Sequence, residues 1–229
     1  MRHLFKKAGG KWEKKSYSQS GEDLIVKFIF DLIEIKSPTY IDIGAHHPFY
    51  YNNTAILYET GSHGINIEPN PQIFPEFLKY RKRDVNLNCG VGTESGELMF
   101  NILNPPTLST FSDDEANKMT KEYNFKIVNR IPIKVETVSD ILKQHFNNRF
   151  PDFLNIDAEG LDESIITSIN FELNKPIVIC LETMSYSENG TGEKNTKVID
   201  LIISKGYMVF ADTYLNTIFI LKEKWLRKQ

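Results

Sequence analysis

The sequence predicts an α/β fold: a mostly parallel sheet with helices on both faces, closed by an antiparallel hairpin at its carboxyl end. Short apolar runs of strand length alternate along the chain with segments of helical periodicity, the pattern of a parallel sheet wrapped by crossover helices. Asp42, Glu68, Asn88, Asp157, Glu159 and Glu182 stand where the apolar runs end, and ligands of open α/β sheets bind at the carboxyl ends of strands. Two last runs, 207–211 and 217–221, are close enough in sequence to pair as a hairpin.

Taken in order, YSQSGED at 17–23 precedes an apolar series at Leu24, Ile25, Phe28, Ile29, Leu32 and Ile33, whose spacing lines one helical face. Ser18 or Ser20 is placed to cap that helix, with Glu22 and Asp23 in its first turn. Pro38 closes the segment and YIDI at 40–43 opens the first strand, which runs into Gly44 and the small Ala45. A short helix over 55–59 and a strand at 65–67 follow, the strand ending in Glu68. Phe74, Phe77, Leu78 and Tyr80 give the next helix an apolar face, and Arg81, Lys82 and Arg83 end it with charge that suits its dipole. A third strand is expected over 84–89 with NCGVG as its exit, an antiparallel excursion over 97–103, a loop over 104–112 and a helix over 113–123. Ile131, Ile133 and Val135 alternate as a half-exposed strand. A helix at 137–146, a buried strand at 151–156, a helix around Ile165 and Ile169, a strand at 177–181, a polar loop at 185–195 and a helix at 198–203 complete the series before the hairpin.

The 229 residues form one domain, 16–229, behind a basic tail, 1–15, on the sequence reading. That tail carries Arg2, Lys6, Lys7, Lys11, Lys14 and Lys15 against a single acid, Glu13, and reads as a solvated extension. A net charge of −3 gives no electrostatic case for nucleic acid. Cys89 and Cys180, each inside an apolar run, read as buried thiols of a reducing compartment. No apolar leader follows the basic start and no run reaches the ~18 apolar residues of a membrane span, so a cytoplasmic protein is expected.

The chemistry concentrates at 40–54, YIDIGAHHPFYYNNT. A strand ending in a tight turn with Gly44 is how α/β domains open a cofactor site. Gly44 to Glu68 spans 24 residues, close to the ~20 between such a turn and the acid that grips ribose hydroxyls. Glu68 alone would equally cap the helix after Pro69 and Pro71. Nicotinamide dinucleotides and S-adenosylmethionine both use such an acid. The dinucleotide needs a glycine-rich turn for its pyrophosphate, and His46, His47 and Pro48 occupy that turn here. The sulfonium cofactor has no phosphate and tolerates them.

Four stretches then carry a resemblance: YSQSGED at 17–23, DIGAHHPFYYNNT at 42–54, GINIEPNP at 64–71 and DFLNIDAEGLDESII at 152–166. Together, over about 16–221, they resemble the FkbM-type S-adenosylmethionine-dependent methyltransferases. The resemblance implies a Rossmann-like class I methyltransferase sheet and methyl transfer to an oxygen of a sugar or natural product. It implies that Asp42, Gly44 and Ala45 face the methionine part of the cofactor, Glu68 the ribose, Asn88, Cys89 and Val91 the adenine region, and Asp157 the amino end, with Gln19 and Asn53 also at the cofactor. Pro48 stands where many relatives have glycine.

A sugar hydroxyl is a weak nucleophile at neutral pH, so a general base worth roughly 10² to 10⁴ is expected. Glu159 is the first candidate, since two residues past Asp157 it shares that residue's direction in extended backbone. His46 and Glu182 are the alternatives, and either histidine could equally be a loop residue. Asp157 and Glu159 could hold Mg²⁺, which is not expected to be required. Phe49, Tyr50 and Tyr51 suit stacking on a ligand or packing on the sheet. The expected partner is a small-molecule or glycan acceptor; a nicotinamide-dependent oxidoreductase and a non-catalytic cofactor-binding scaffold are the rivals. The acceptor's identity and the oligomeric state are not legible in the sequence.

Overall fold

The computed structural model describes residues 13–172, 174–185 and 191–227. Arg2, Lys6, Lys7 and Lys11 of the expected basic tail lie outside these residues, as do 186–190 of the expected loop.

The chain runs α1 (Glu22–Leu32), β1 (Tyr40–Ile43), α2 (Ala55–Glu59), β2 (Gly64–Ile67), α3 (Phe74–Tyr80), β3 (Val85–Leu87), β4 (Gly90–Gly92), β5 (Gly96–Asn104) and α4 (Asp113–Glu122). It continues through β6 (Lys126–Thr137), α5 (Val138–His145), β7 (Phe153–Ile156), α6 (Asp162–Ser168), β8 (Val178–Glu182), α7 (Thr196–Ser204), β9 (Tyr207–Asp212), β10 (Asn216–Leu221) and α8 (Lys222–Leu226).

Seven strands form the main sheet in the order β3-β2-β1-β7-β8-β10-β9. The five from β3 to β8 are parallel, and β10 enters antiparallel between β8 and β9. The order is Rossmann-like: the chain steps outward from β1 to one edge, then returns to build the other half. Strand order therefore reverses between β1 and β7, which leaves a crevice at their carboxyl ends.

The central strands β1, β2 and β7 are buried along their whole length, as expected for a sheet covered on both faces. Alternate residues feed two separate cores. Ile41, Ile65, Leu154 and Ile179 pack with Ile141, Ile165 and Ile202 of α5, α6 and α7. Tyr40, Phe153, Val178 and Ile218 pack with Val26, Ile29 and Phe30 of α1 and Leu57 of α2.

Several expectations are corrected here. The buried face of α1 is Val26, Ile29 and Phe30, while Phe28 and Leu32 are exposed; a helix apolar on nearly every side leaves the face to be chosen by the sheet. Its N-cap is Gly21, in left-handed backbone and without a side chain to cap; the Ser18 hydroxyl accepts from the Gly21 and Asp23 N–H groups at 3.0 and 3.4 Å, so Ser18 and not Ser20 serves the helix start. The Ser18 hydroxyl also donates to the Asp23 carboxylate at 2.9 Å, as does that of Ser16 at 2.7 Å. In α3 only Phe77 is buried, with Leu78 and Tyr80 exposed. Arg81 is not a surface charge at a helix end: its side chain is wholly buried.

The exit NCGVG is itself a strand. β4 joins a second sheet of order β4-β6-β5, with β4 parallel and β5 antiparallel to β6. This sheet and α4 stand over the carboxyl ends of the main strands. The terminal helix α8 carries no buried residue, and nothing in the sequence reading anticipated it.

Candidate active site

The turn after β1 rests on a buried polar lattice. Asp42 is 1% exposed and accepts from Thr54 Oγ1 at 2.7 Å, Asn155 Nδ2 at 2.8 Å and Asn52 Nδ2 at 3.1 Å. Asn52 also donates to the Ala45 carbonyl at 2.9 Å. Beside this lattice lies Arg81, whose guanidinium donates to Asp84 and Thr54 at 2.9 Å, to Tyr40 at 2.8 Å and to the Pro48 carbonyl at 3.1 Å. A planar fork with five donors can hold four elements of backbone and side chain at once. It fixes both ends of the 40–54 stretch.

Gly44 has φ +74, and a Cβ there would sit 1.7 Å from the Asp157 carbonyl oxygen. Its bare backbone lets β1 and β7 run out side by side into the crevice. His46, Tyr51 and Glu159 also adopt left-handed backbone without being glycine, at a cost of about 1 kcal/mol or more each. All three line the same cleft.

That cleft takes in about 750 Å³, the open solvent at its mouth included. Its floor is Ile43, Ile67 and Val91, its roof Phe100, Ser109 and Phe111 from the second sheet and the following loop, and its rim Gln19 and Tyr51. Three acids enter it: Glu68, Asp157 and Glu159, with no Lys or Arg among the described lining residues. Glu68 accepts backbone N–H bonds from His46 at 2.8 Å and Asn70 at 2.7 Å. Burial pushes its carboxyl up to about 8 despite those bonds, with Asp42 and Asp157 adding to the rise. Burial likewise lifts Asp157 to about 7, reinforced by Asp162 and Asp42. The Glu159 carboxyl is raised well above its usual range by burial and then by Asp157. Burial next to His47 pushes His46 down to about 4, so its imidazole is neutral at pH 7.

A second cavity, open to solvent and taking in about 840 Å³ with its mouth, adjoins the first, with Glu159 in the lining of both. Glu182 lies in its wall, with Glu115 of α4 and Thr183 and Met184 after β8. Thr110 Oγ1 donates to the Glu159 carbonyl at 2.6 Å, which ties the loop after β5 to the partition between the two cavities.

Against known proteins, the description "Methyltransferase FkbM domain" matches residues 42–209, most of the chain. The chain belongs to the FkbM methyltransferase family. No curated protein sequence matches it. Among solved structures, precorrin-6y C5,15-methyltransferase from Geobacter metallireducens GS-15 is similar at 15% identity, over 87% of this chain and 88% of that one, with a TM-score of 0.40. A putative hemolysin from Streptococcus thermophilus is similar at 12% identity, over 92% of this chain and 67% of that one, with a TM-score of 0.42.

In this FkbM methyltransferase the expected site residues fall into two groups. Gln19, Gly44, His46, Glu68, Cys89, Val91, Asp157 and Glu159 line the first cleft. Asp42, Ala45, Asn53 and Asn88 are absent from its lining. Asp42 and Ala45 support the turn from beneath. Asn53 donates to Asn155 at 2.9 Å inside the fold, and Asn88 donates to the Glu68 and Pro69 carbonyls at 2.8 and 3.1 Å, holding the end of β2. Glu182 faces the second cavity alone. The expectation that Glu159 shares the direction of Asp157 in extended backbone is corrected: Glu159 and Gly160 have φ +47 and +96. This sharp turn puts Glu159 between the two cavities.

The SQSGED motif does more than start a helix. Glu22, fully buried, accepts from Thr213 at 2.7 Å and Asn216 at 3.1 Å, which pins α1 to the β9–β10 turn and leaves Gln19 at the cleft. His47 Nδ1 accepts from the Phe49 backbone at 3.1 Å, and Phe49 packs between Tyr17 and Tyr80. Tyr50 and Tyr51 stack with centroids 4.0 Å apart. Among the described residues, no group of three or more His, Cys, Asp or Glu side chains is arranged to hold a metal ion, and no helix is long and apolar enough to cross a membrane. Sequence reading missed Arg81, whose local context is that of any helix-ending cation, and the roof residues Phe100 and Phe111, whose place depends on the second sheet.

Proposed function

We propose that this methyltransferase uses S-adenosylmethionine and methylates a hydroxyl of a sugar or sugar-containing small molecule, in polysaccharide or natural-product biosynthesis. The observation that carries the reading is the charge of the first cleft, where Glu68, Asp157 and Glu159 stand with no cationic side chain among the described lining residues. Carboxyls held protonated by burial regain their charge when a cation arrives. S-adenosylmethionine offers two cationic groups, a sulfonium and an ammonium, against one carboxylate, so the donor set fits it. A dinucleotide would bring its pyrophosphate against three acids, which speaks against an oxidoreductase.

When bound, the cofactor supplies an already activated methyl group. Glu68 has about four lone-pair sites when ionised and spends two on the backbone N–H groups of His46 and Asn70. Two remain for a ribose diol. Asp157, at the end of β7 against Gly44, would hold the ammonium, and Ile67, Val91 and Phe111 would sandwich the flat base. Glu159, at the partition, would take the proton from the acceptor hydroxyl; His46, with its value near 4, is a weak base. Phe100 and Phe111 of the roof would shield the reacting atoms in part, and in-line positioning would supply several further powers of ten. Residues 16–229 act as one catalytic unit in this proposal, in the cytoplasm.

Thermal unfolding with S-adenosylhomocysteine and with NAD tests the cofactor. Saturation at ~100 times Kd by the first should add about 2.7 kcal/mol of stability; stabilisation by NAD alone would overturn the proposal. Labelled methyl transfer to a panel of sugars and sugar nucleotides tests the reaction, and cofactor binding without transfer to any hydroxyl would favour the scaffold.

A further inference from the structure

Two exposed aromatic rings stand at the mouth of the first cleft, and the backbone is bent to bring them together. Tyr50 and Tyr51 stack with centroids 4.0 Å apart and an interplanar angle of 25°. Extended backbone sends consecutive side chains to opposite sides; here the left-handed φ of +50 at Tyr51 lets the two rings face each other. For a bulky residue that φ is an outlier. His46, at φ +53, is bent in the same way, and its ring stacks 6.4 Å from that of Tyr51 at 29°.

Strain of this kind persists only where the surroundings hold it in place, and here it does not serve to bury the rings. Tyr50 remains 53% exposed and Tyr51 41% exposed. The preceding residue gives the contrast: Phe49 is wedged between Tyr17 and Tyr80 at 5.8 and 6.0 Å and packs the loop. The stacked pair keeps its free surface for something that arrives from outside. Tyr51 lines the cleft, so that surface is continuous with the space proposed for methyl transfer.

The polar groups beside the pair indicate the class of ligand. Gln19 and His46 line the same cleft, and no hydrogen bond to either side chain is found among the described residues. A carboxamide and a neutral imidazole each offer a donor and an acceptor, the complement of a hydroxyl group, and neither brings a charge. An aromatic face edged by uncharged donors and acceptors suits a ring with an apolar C–H face and a polar rim, which is a pyranose. The flat base of the cofactor is already accounted for deeper in the cleft, by Ile67, Val91 and Phe111.

We infer that Tyr50 and Tyr51 form the docking platform of the acceptor: a neutral sugar ring lies with its C–H face on the stacked pair, and Gln19 bonds its hydroxyls. The pair binds and orients the sugar and takes no part in the transfer itself. The inference rests on the sugar-acceptor reading above.

The test uses the full chain with isotope-labelled tyrosine rings, titrated with methyl β-glucoside and methyl β-galactoside, each with and without S-adenosylhomocysteine, and with glycerol as a source of hydroxyls without a ring. Either glycoside should shift the ring signals of Tyr50 and Tyr51 saturably, and glycerol should not. Tyr51→Gly, which removes the ring and relieves the backbone, should weaken glycoside binding about fivefold, leave S-adenosylhomocysteine affinity within threefold and not lower the thermal unfolding midpoint. Tyr50→Ala, at a position without left-handed backbone, should weaken glycoside binding by a similar factor. Absence of saturable shifts with both glycosides overturns the inference, as does glycoside affinity left unchanged by the two substitutions. A loss of S-adenosylhomocysteine affinity beyond about tenfold in Tyr51→Gly would overturn it in favour of a cofactor contact, and ring signals that shift with protein concentration alone would overturn it in favour of a second copy of the chain. Failure of S-adenosylhomocysteine to bind would bring down the cofactor reading, and the titration without it would still decide the platform.

Discussion

Arg81 donates its Nε–H to Asp84 at 2.9 Å, and both side chains are wholly removed from solvent. The pair sits behind the cofactor turn, so its loss is felt as stability first and as turn geometry second. Removing one partner of a buried pair costs about 3–5 kcal/mol. Arg81→Leu should lose that much in equilibrium urea unfolding, and Arg81→Lys should recover only part of it, since an ammonium cannot reach Asp84, Tyr40, Thr54 and Pro48 together. A loss below about 1 kcal/mol for Arg81→Leu would mean the lattice is redundant.

Gly44 and Gly21 both have positive φ, +74 and +91, but a Cβ at Gly21 meets nothing within 4 Å and one at Gly44 meets the Asp157 carbonyl. Gly21→Ala should cost about 1–2 kcal/mol from conformation alone. Gly44→Ala should add an overpacking penalty of about 1–3 kcal/mol and abolish S-adenosylmethionine binding. Thermal unfolding and titration of the two variants side by side check this, and equal effects would remove the close approach of β1 and β7 from the account.

Glu68 and Asp157, lifted by burial to about 8 and about 7, fix a pH dependence. Their folded values exceed the unfolded ones, so the native state holds extra protons between pH 5 and 8. Stability of the ligand-free protein from these groups is fully present below their unfolded values and falls as pH rises through 7 and 8. Affinity for the cationic cofactor runs the other way and should climb from pH 6 to 9. Melting curves and titrations across that range should show opposite slopes, and both should flatten in Glu68→Gln. Parallel slopes would mean the acids are ionised before the ligand arrives.

Glu159→Gln should lower kcat by roughly 10² to 10⁴ with cofactor Kd within threefold. His46→Ala should lower kcat less than tenfold, because it is the backbone N–H of His46 that supports Glu68. Single-turnover rates of the two variants decide which residue takes the proton; a larger effect at His46 would reverse the assignment.

The main sheet was legible because buried parallel strands read as unbroken apolar runs with a polar exit: YIDI, GINI and FLNI each match an observed strand. The second sheet was not. β4 is three residues long and finds its partner about 45 residues later at 135–137, a pairing without local signature. Arg81 was misread for the same reason, since its partners Tyr40 and Thr54 are 41 and 27 residues away. At the site, residue type identified the acids at the strand ends but not their orientation. Asp42 and Asn53 turn into the fold because donors await them there, and Glu159 turns toward the partition because the chain bends at Gly160.

The second sheet has one further consequence. Gly92 and Thr137 are register partners, so the long excursion from β4 through β6 leaves and rejoins the body of the protein at a single doorway. It carries Phe100 and Phe111 to the cleft and Thr110 and Glu115 to the second cavity, whereas Glu68, Asp157 and the two cores belong to the body. One contiguous passage, about 93–136, can therefore differ between relatives and reshape the roof, Phe111 over the first cleft included, while Glu68 and Asp157 stay in the body. A chimera that exchanges this passage between two relatives should fold with its donor's body and select with its guest's roof.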